Sequence, residues 1–159
     1  MSESRAHAIR REFDQAFASV PKLDDGAADD LLVMRLGGDR HAIRVSELSV
    51  VHRARAVVPV PSGARAFAGL ASARAGVLPV YDLAQLCGYP PASLARWLLV
   101  LRGAEPLALA IDDLVGHARS PSGLAAGDGT NVVERSIDVD GAPCALLSSA
   151  AIAAVVARG

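Results

Sequence analysis

The spacing of apolar positions changes period once, near residue 30. Before that point Ile9, Phe13, Phe17 and Val20 recur at helical spacing, with Arg10, Arg11, Glu12 and Asp14 on the rest of the wheel. The pattern predicts an amphipathic helix over 5–20, capped by Ser4 and ended by Pro21. Asp24-Asp25-Gly26-Ala27-Ala28-Asp29-Asp30 follows as a polar, acidic linker.

From Leu31 onward the pattern is that of strands. Leu31 to Leu36 and His41 to Val45 are two apolar runs joined by Gly37-Gly38-Asp39-Arg40, residues suited to the positive φ of a hairpin turn. Ser46-Glu47-Leu48 reads as a helical turn capped by Ser46, and Leu48 to His52 as a further strand. Val57-Val58-Pro59-Val60-Pro61 holds too much proline for a central strand and is expected at an edge. Val77 to Tyr81 is a short buried strand, with Pro79 demanding an edge or a bulge. Asp82 then stands where its carboxylate caps a short helix over Leu83 to Leu86, which Gly88 and Pro90-Pro91 stop. Exposed Arg74 is expected on the turn just before this strand.

The second half repeats the first. Leu98-Leu99-Val100-Leu101-Arg102, a glycine turn, Leu107 to Ile111 and an acid followed by leucine echo Leu31 to Leu48. Cys144 to Leu147, Ser148-Ser149 and Ala150 to Val156 repeat strand, cap and helix, as in Val77 to Leu86. Asp140-Gly141 marks a hairpin turn after Ile137-Asp138-Val139. Residues 119–134, rich in Gly, Ser and Asp, read as a long surface loop. Many short strands with Gly and Pro turns favour two small curled β units, one after the other, over a single open sheet. The expected division is 1–28 for helix and linker and 29–159 for the β domain, with lobes of 29–92 and 93–159.

Composition narrows the function. The 159 residues carry a net charge of −1, which excludes the concentrated basic face of a phosphate-backbone binder; basic-aromatic stripes for a single strand are also missing. All cations but Lys22 are arginine, as expected of a GC-rich genome. Cys87 and Cys144 form no disulfide or metal framework and fit a reducing compartment. The polar start, Met1-Ser2-Glu3-Ser4, lacks a signal peptide's apolar core, and no apolar run approaches the ~20 residues that span a bilayer. A cytoplasmic protein without direct membrane insertion is expected.

Catalytic patterns are missing: there is no nucleophile elbow, phosphate-loop lysine, dinucleotide fingerprint or zinc helix. His7, His41, His52 and His117 are scattered and are read as surface or turn histidines. Asp112-Asp113 reads as a cap for a turn at Leu114, because neighbouring strand residues point to opposite faces and do not converge on a metal. A thiol enzyme using Cys144 or Cys87 is the remaining catalytic alternative. Neither a metal nor a cofactor is expected, and the weight falls on binding to other proteins.

At this point the residues carry a resemblance. Gly69, Arg74, Val77, Pro79, Val80, Asp82 and Leu83 match a segment approximating Gly-X-X-Asn-X-Arg-Gly-X-Ile-X-Pro-Val-X-Asp-Leu, and Ala110-Ile111-Asp112 matches a later apolar-Asp segment. Residues 29–156 thus resemble a CheW-like domain, the adaptor of bacterial chemosensory arrays. Ser72 stands where that family carries Asn, Ala75 where it carries Gly, and Val50 where relatives often carry Glu; 118–140 is short against the pattern.

The resemblance implies a mainly β fold of two packed five-stranded SH3-like barrels with short helices. It implies a non-enzymatic adaptor that couples a chemoreceptor's cytoplasmic tip to the regulatory domain of a CheA-type histidine kinase, at a membrane-associated array. Receptor contacts would fall at Leu48, Val51 and Arg74, and kinase contacts at Val58, Val60, Leu70 and Val77. The alternative within the same class is a scaffold for pili or second-messenger control, or a ring filler that leaves the kinase inactive.

Overall fold

The structure, a computed structural model, describes residues 28–74, 76–120, 124 and 129–159. The expected amino-terminal helix lies outside the described residues. Among the described residues, eleven strands are arranged in two sheets with two short helices.

The chain opens with β1 (Asp30–Leu36) and β2 (Asp39–Arg44), an antiparallel hairpin closed by Gly37 and Gly38 at φ 59° and 95°. A Cβ on Gly37 would lie 2.1 Å from the ring of Tyr89, so this turn needs glycine for space as well as for φ. Tyr89 also donates to Asp39 (2.8 Å) and meets His41 edge-on at 5.5 Å. His41, expected at the surface, is therefore buried under the tyrosine, with its Nδ1 donating to the Asp39 carbonyl at 3.2 Å.

A 3-10 turn, Val45–Glu47, leads to β3 (Leu48–Arg53). The turn begins one residue before the expected one, so Arg44 and not Ser46 holds the cap position, and no side chain caps it. β4 (Val57–Val58) is the short edge piece expected from its prolines. β5 (Phe67–Ala73) and β6 (Gly76–Asp82) form the next hairpin. β6 lies inside its sheet, between β5 and β8, and not at an edge. Its pairing with β8 starts only at Val80, however, so Pro79 occupies a stretch with one partner strand.

Asp82 caps α1 (Leu83–Leu86), accepting from the Gln85 amide at 3.2 Å and, with its other oxygen, from Ala92 at 2.8 Å. The repeat follows as β7 (Trp97–Leu101), β8 (Ala108–Ile111) and β9 (Asp113–Arg119). β10 (Val133–Val139) and β11 (Ala142–Leu147) turn through Asp140-Gly141 at φ 54° and 75°. Ser148 caps α2 (Ser149–Ala157) through the Ala151 amide.

Sheet one has the order β10-β11-β2-β1-β9, and sheet two the order β3-β7-β8-β6-β5-β4. The sheets hold five and six strands, the sixth being the two-residue β4. Omitting β4, the second order is the first read from its other end, with β7, β8 and β3 in the places of β1, β2 and β9. Strand pairing thus crosses the expected division into 29–92 and 93–159: the β1–β2 hairpin completes a sheet made of second-half strands, and β7–β8 does the reverse. The acid-leucine pairs of the internal echo, Glu47-Leu48 and Asp113-Leu114, are the two points where the chain crosses from one sheet to the other. Asp112-Asp113 therefore marks a crossover and caps no helical turn.

Because β1 and β7 are covered on both faces, their apolar runs are continuous. Leu32, Met34, Leu99 and Leu101 enter the core between the sheets, with Ile43, Leu109, Ile111, Leu147 and Ile152. Leu31 and Val33 face a second core inside sheet one, and Leu98 and Val100 face a third inside sheet two. Each fully buried leucine contributes about 1.5–3 kcal/mol relative to exposure.

Candidate functional site

Three features stand out from this scaffold: an apolar corner on β4–β6, a groove in sheet two, and a buried charge cluster at the crossover after β2.

The corner follows from strand alternation. In β6, Leu78, Val80 and Asp82 point inward, so Val77 and Pro79 point out. Leu70 on β5 pairs with Val58 on one side and Pro79 on the other, and Ser72 pairs with Val77. Gly69, at φ +138°, follows the bulge at Ala68 and lets β4 close on β5. A Cβ there would stand 2.1 Å from the Val58 carbonyl oxygen. Val77 is 65% exposed, Val58 59% and Val60 40%, while Leu70 is half-buried beneath them. Val58, Leu70 and Val77 line one shallow depression with Arg55, Ala56, Ala71 and Ser72. Val60 lies outside it, on the proline segment beyond β4.

The second expected set is dispersed. Leu48 is buried in the core between the sheets and is unavailable to a partner, because the start of β3 turns it inward. Val51 is half-buried against the same core. Arg74 stands exposed at the β5–β6 turn with no hydrogen bond or ion pair among the described residues. Val50, half exposed, and Arg74 both line a groove of about 880 Å³, with Ala71, Leu78, Leu98 and Val100 on its floor. Arg53 and Arg55 stand on its rim, and the Arg53 guanidinium lies 4.8 Å from the Trp97 ring centre. Residues from β3 and β5 line it together, so sheet two curls until its margins approach.

The charge cluster was not visible in sequence. Arg44, at the inward-facing end of β2, makes two hydrogen bonds to Glu134 (3.1 and 2.9 Å) and lies 3.5 Å from Glu47 and 3.6 Å from Asp29. The Arg44 and Glu134 side chains are 8% and 4% exposed. Two parallel hydrogen bonds compensate the desolvation of both charges. The cluster ties the start of β1, the β2 crossover and the β10 bulge together. Burial pushes the Glu47 carboxyl up against the opposing pull of Arg44, and its Oε2 is buried with no hydrogen-bond partner among the described residues. An arginine inside an apolar strand was the available signal, but its partner lay in a segment read as loop.

The two thiols are not activated. Burial pushes the Cys87 thiol up to about 12, with Asp82 adding to it, and burial raises Cys144 as well. Neither is poised as the thiolate a nucleophile requires. No group of three or more His, Cys, Asp or Glu suited to a metal occurs among the described residues.

The mainly β fold of two sheets with few helices agrees with comparison to known proteins. The family model for the CheW-like domain matches residues 30–155. The chain belongs to the CheW-like family. The scaffolding protein TtCheW from Thermoanaerobacter tengcongensis has a similar fold, with a TM-score of 0.62 over 76% of this chain and 88% of that one at 14% identity. No curated protein matched the chain by sequence. Within the CheW-like domain, the motif residues now have physical roles. Gly69 admits β4, Asp82 caps α1 and anchors Ala92, and Arg74 is presented on the turn between β5 and β6.

Proposed function

We propose that this CheW-like domain is a non-enzymatic adaptor that couples chemoreceptor tips to the regulatory domain of a CheA-type histidine kinase. The observation that carries the reading is the β5–β6 hairpin and its neighbour β4. One side offers Val58 and Val77 over Leu70, and the tip offers an exposed arginine, Arg74. Contiguous exposed valines are the material of an interface core, and an exposed arginine is a frequent anchor beside one. The kinase domain would cover Val58, Leu70 and Val77, with Val60 at the margin. The receptor tip would meet Arg74 and Val51, with Leu48 supporting that surface from beneath. Such a protein works at the cytoplasmic face of a receptor array.

Binding assays against both partners separate the two surfaces. Val77→Asp is expected to weaken binding of the kinase regulatory domain about tenfold or more, at unchanged melting temperature, and to leave receptor co-sedimentation intact. Arg74→Ala is expected to do the opposite. Unchanged binding in both variants, or a common loss with a lowered melting temperature, overturns the reading. A ring-filling role has one observation in its favour: the groove lip beside Arg74 carries Val50, not an acid. Receptor binding without any change in kinase phosphorylation would select it.

A further inference from the structure

β3 ends sheet two: it is hydrogen-bonded to β7 and has no strand on its other side among the described residues. That free edge borders the groove, because Ser49, Val50, His52 and Arg53 form one wall and Ala71, Ser72 and Ala73 of β5 the other. We propose that the groove binds an extended peptide of another protein, one that alternates acidic and large apolar residues and adds to β3 as a further strand.

The backbone of β3 supplies the pairing. Unpaired amide and carbonyl groups along an edge strand are a template for strand addition. Beyond the bulge at its start, Val50 to Arg53 pair regularly with β7. This run holds no proline, and its one formal charge, Arg53, stands at the end, so the edge is not blunted.

The floor selects the apolar half of the occupant. Leu78, Leu98 and Val100 lie at the bottom of the groove, and an added strand turns alternate side chains toward them. Sheet one shows the same place filled from within the chain. There Leu124, beyond β9, packs on the concave core, and its amide donates to Asp29 at 3.1 Å. The partly buried neighbours of the core in sheet two are Ala54, Val57, Ala68, Ala73 and Ala95, with no leucine among them.

The rim selects the acidic half. Arg53, Arg55 and Arg74 are exposed around the groove, and no carboxylate lines it among the described residues. Side chains of the added strand that turn away from the floor lie near these guanidinium groups, where acids are favoured. This binding goes beyond the coupling reading, since Arg53 belongs to neither of the surfaces proposed there.

The test titrates the full chain with acetyl-Glu-Leu-Glu-Val-Glu-Leu-Glu-amide. Calorimetry is expected to give a dissociation constant of about 1–100 μM, and the emission of Trp97, the single tryptophan, which lies against Arg53, is expected to shift on saturation. No binding up to about 1 mM, or binding without a shift, overturns the proposal. The same peptide N-methylated at its backbone amides keeps its side chains and is expected to bind at least about tenfold more weakly. Equal affinity overturns the strand pairing. Replacing the probe's glutamates by glutamine, and separately Arg53→Glu in the protein, are each expected to weaken binding at least about fivefold. Unchanged affinity for the glutamine probe overturns the charge assignment whether or not the protein variant folds. Saturable binding of dodecanoate in place of the peptide would make the groove a site for anionic amphiphiles and overturn the proposal as well.

Discussion

Leu31 and Val33 in sheet one hold the same places as Leu98 and Val100 in sheet two, on matching strands of matching hairpins. Around the first pair the concave face is closed by Val139, Cys144 and Leu146, with Ile137 and Leu124 over them. Around the second stand Leu78 and Val80 with Ala71, Ala108 and Ala110, and Ala54, Val57, Ala68, Ala73 and Ala95 lie at the margin. One backbone plan thus carries a filled core in sheet one and an open groove in sheet two. Close packing makes sheet one a structural element. In sheet two Ala71 and Ala73 line the groove beside Leu78, Leu98 and Val100.

The largest effect expected concerns the dependence of each sheet on the other half of the chain. Residues 29–92 and 93–159, expressed separately, each lack strands that complete their own sheet. Neither piece is expected to show a cooperative thermal transition alone, and mixing them is expected to restore one, as followed by circular dichroism. A cooperative melt of either piece alone would show that its sheet stands without the exchanged hairpin.

A smaller effect sharpens the contrast of the two concave faces. Ala42 is fully buried in sheet one, and Ala71 lies on the groove floor in sheet two. Ala42→Leu overpacks a closed core and is expected to cost about 1–3 kcal/mol in urea unfolding. Ala71→Leu adds the same atoms beside open volume and is expected to cost less than half as much. Equal losses would mean that the two faces are equally closed in the folded protein.

Most of the elements were legible in the sequence, and the failures have identifiable causes. The two glycine hairpin turns, the caps at Asp82 and Ser148 and the repeat itself follow from local chemistry, which short-range sequence reports well. β9 was hidden because its inward positions include Gly116 and Ala118, while Val115 points out; its alternation is regular, but the side chains do not display it. β10 was read as beginning at Ile137. Its earlier residues carry Glu134 inward across a bulge, where only the distant Arg44 explains a buried acid. The exchange of hairpins between sheets leaves no local trace, since each strand is the same whichever neighbour it finds. At the candidate site, Val58, Leu70 and Val77 line one depression, and Val60 lies outside it. Leu48 does not, because the bulge between Leu48 and Val50 sets the phase of β3.

The smallest effect tests whether the two crossovers are equivalent. Glu47, before β3, is held in the charge cluster, whereas Asp113, which opens β9, is 61% exposed and 3.9 Å from Arg35. Burial raises the Glu47 carboxyl above its ordinary 4.5, and Glu134 adds to the rise; Arg44 and the Ser149 hydrogen bonds oppose it. Above 4.5 the unfolded chain releases this proton while the folded chain still holds it. The contribution of Glu47 is therefore fully present below that pH and is lost as pH rises through the folded value. Glu47→Gln keeps the shape and cannot ionise. The stability of the native protein relative to this variant is expected to fall as pH rises above 4.5, read as the difference of urea midpoints. A difference that grows in favour of the native protein over that range would mean that attraction to Arg44 outweighs burial, making this corner a stabilising ion pair and not a strained one.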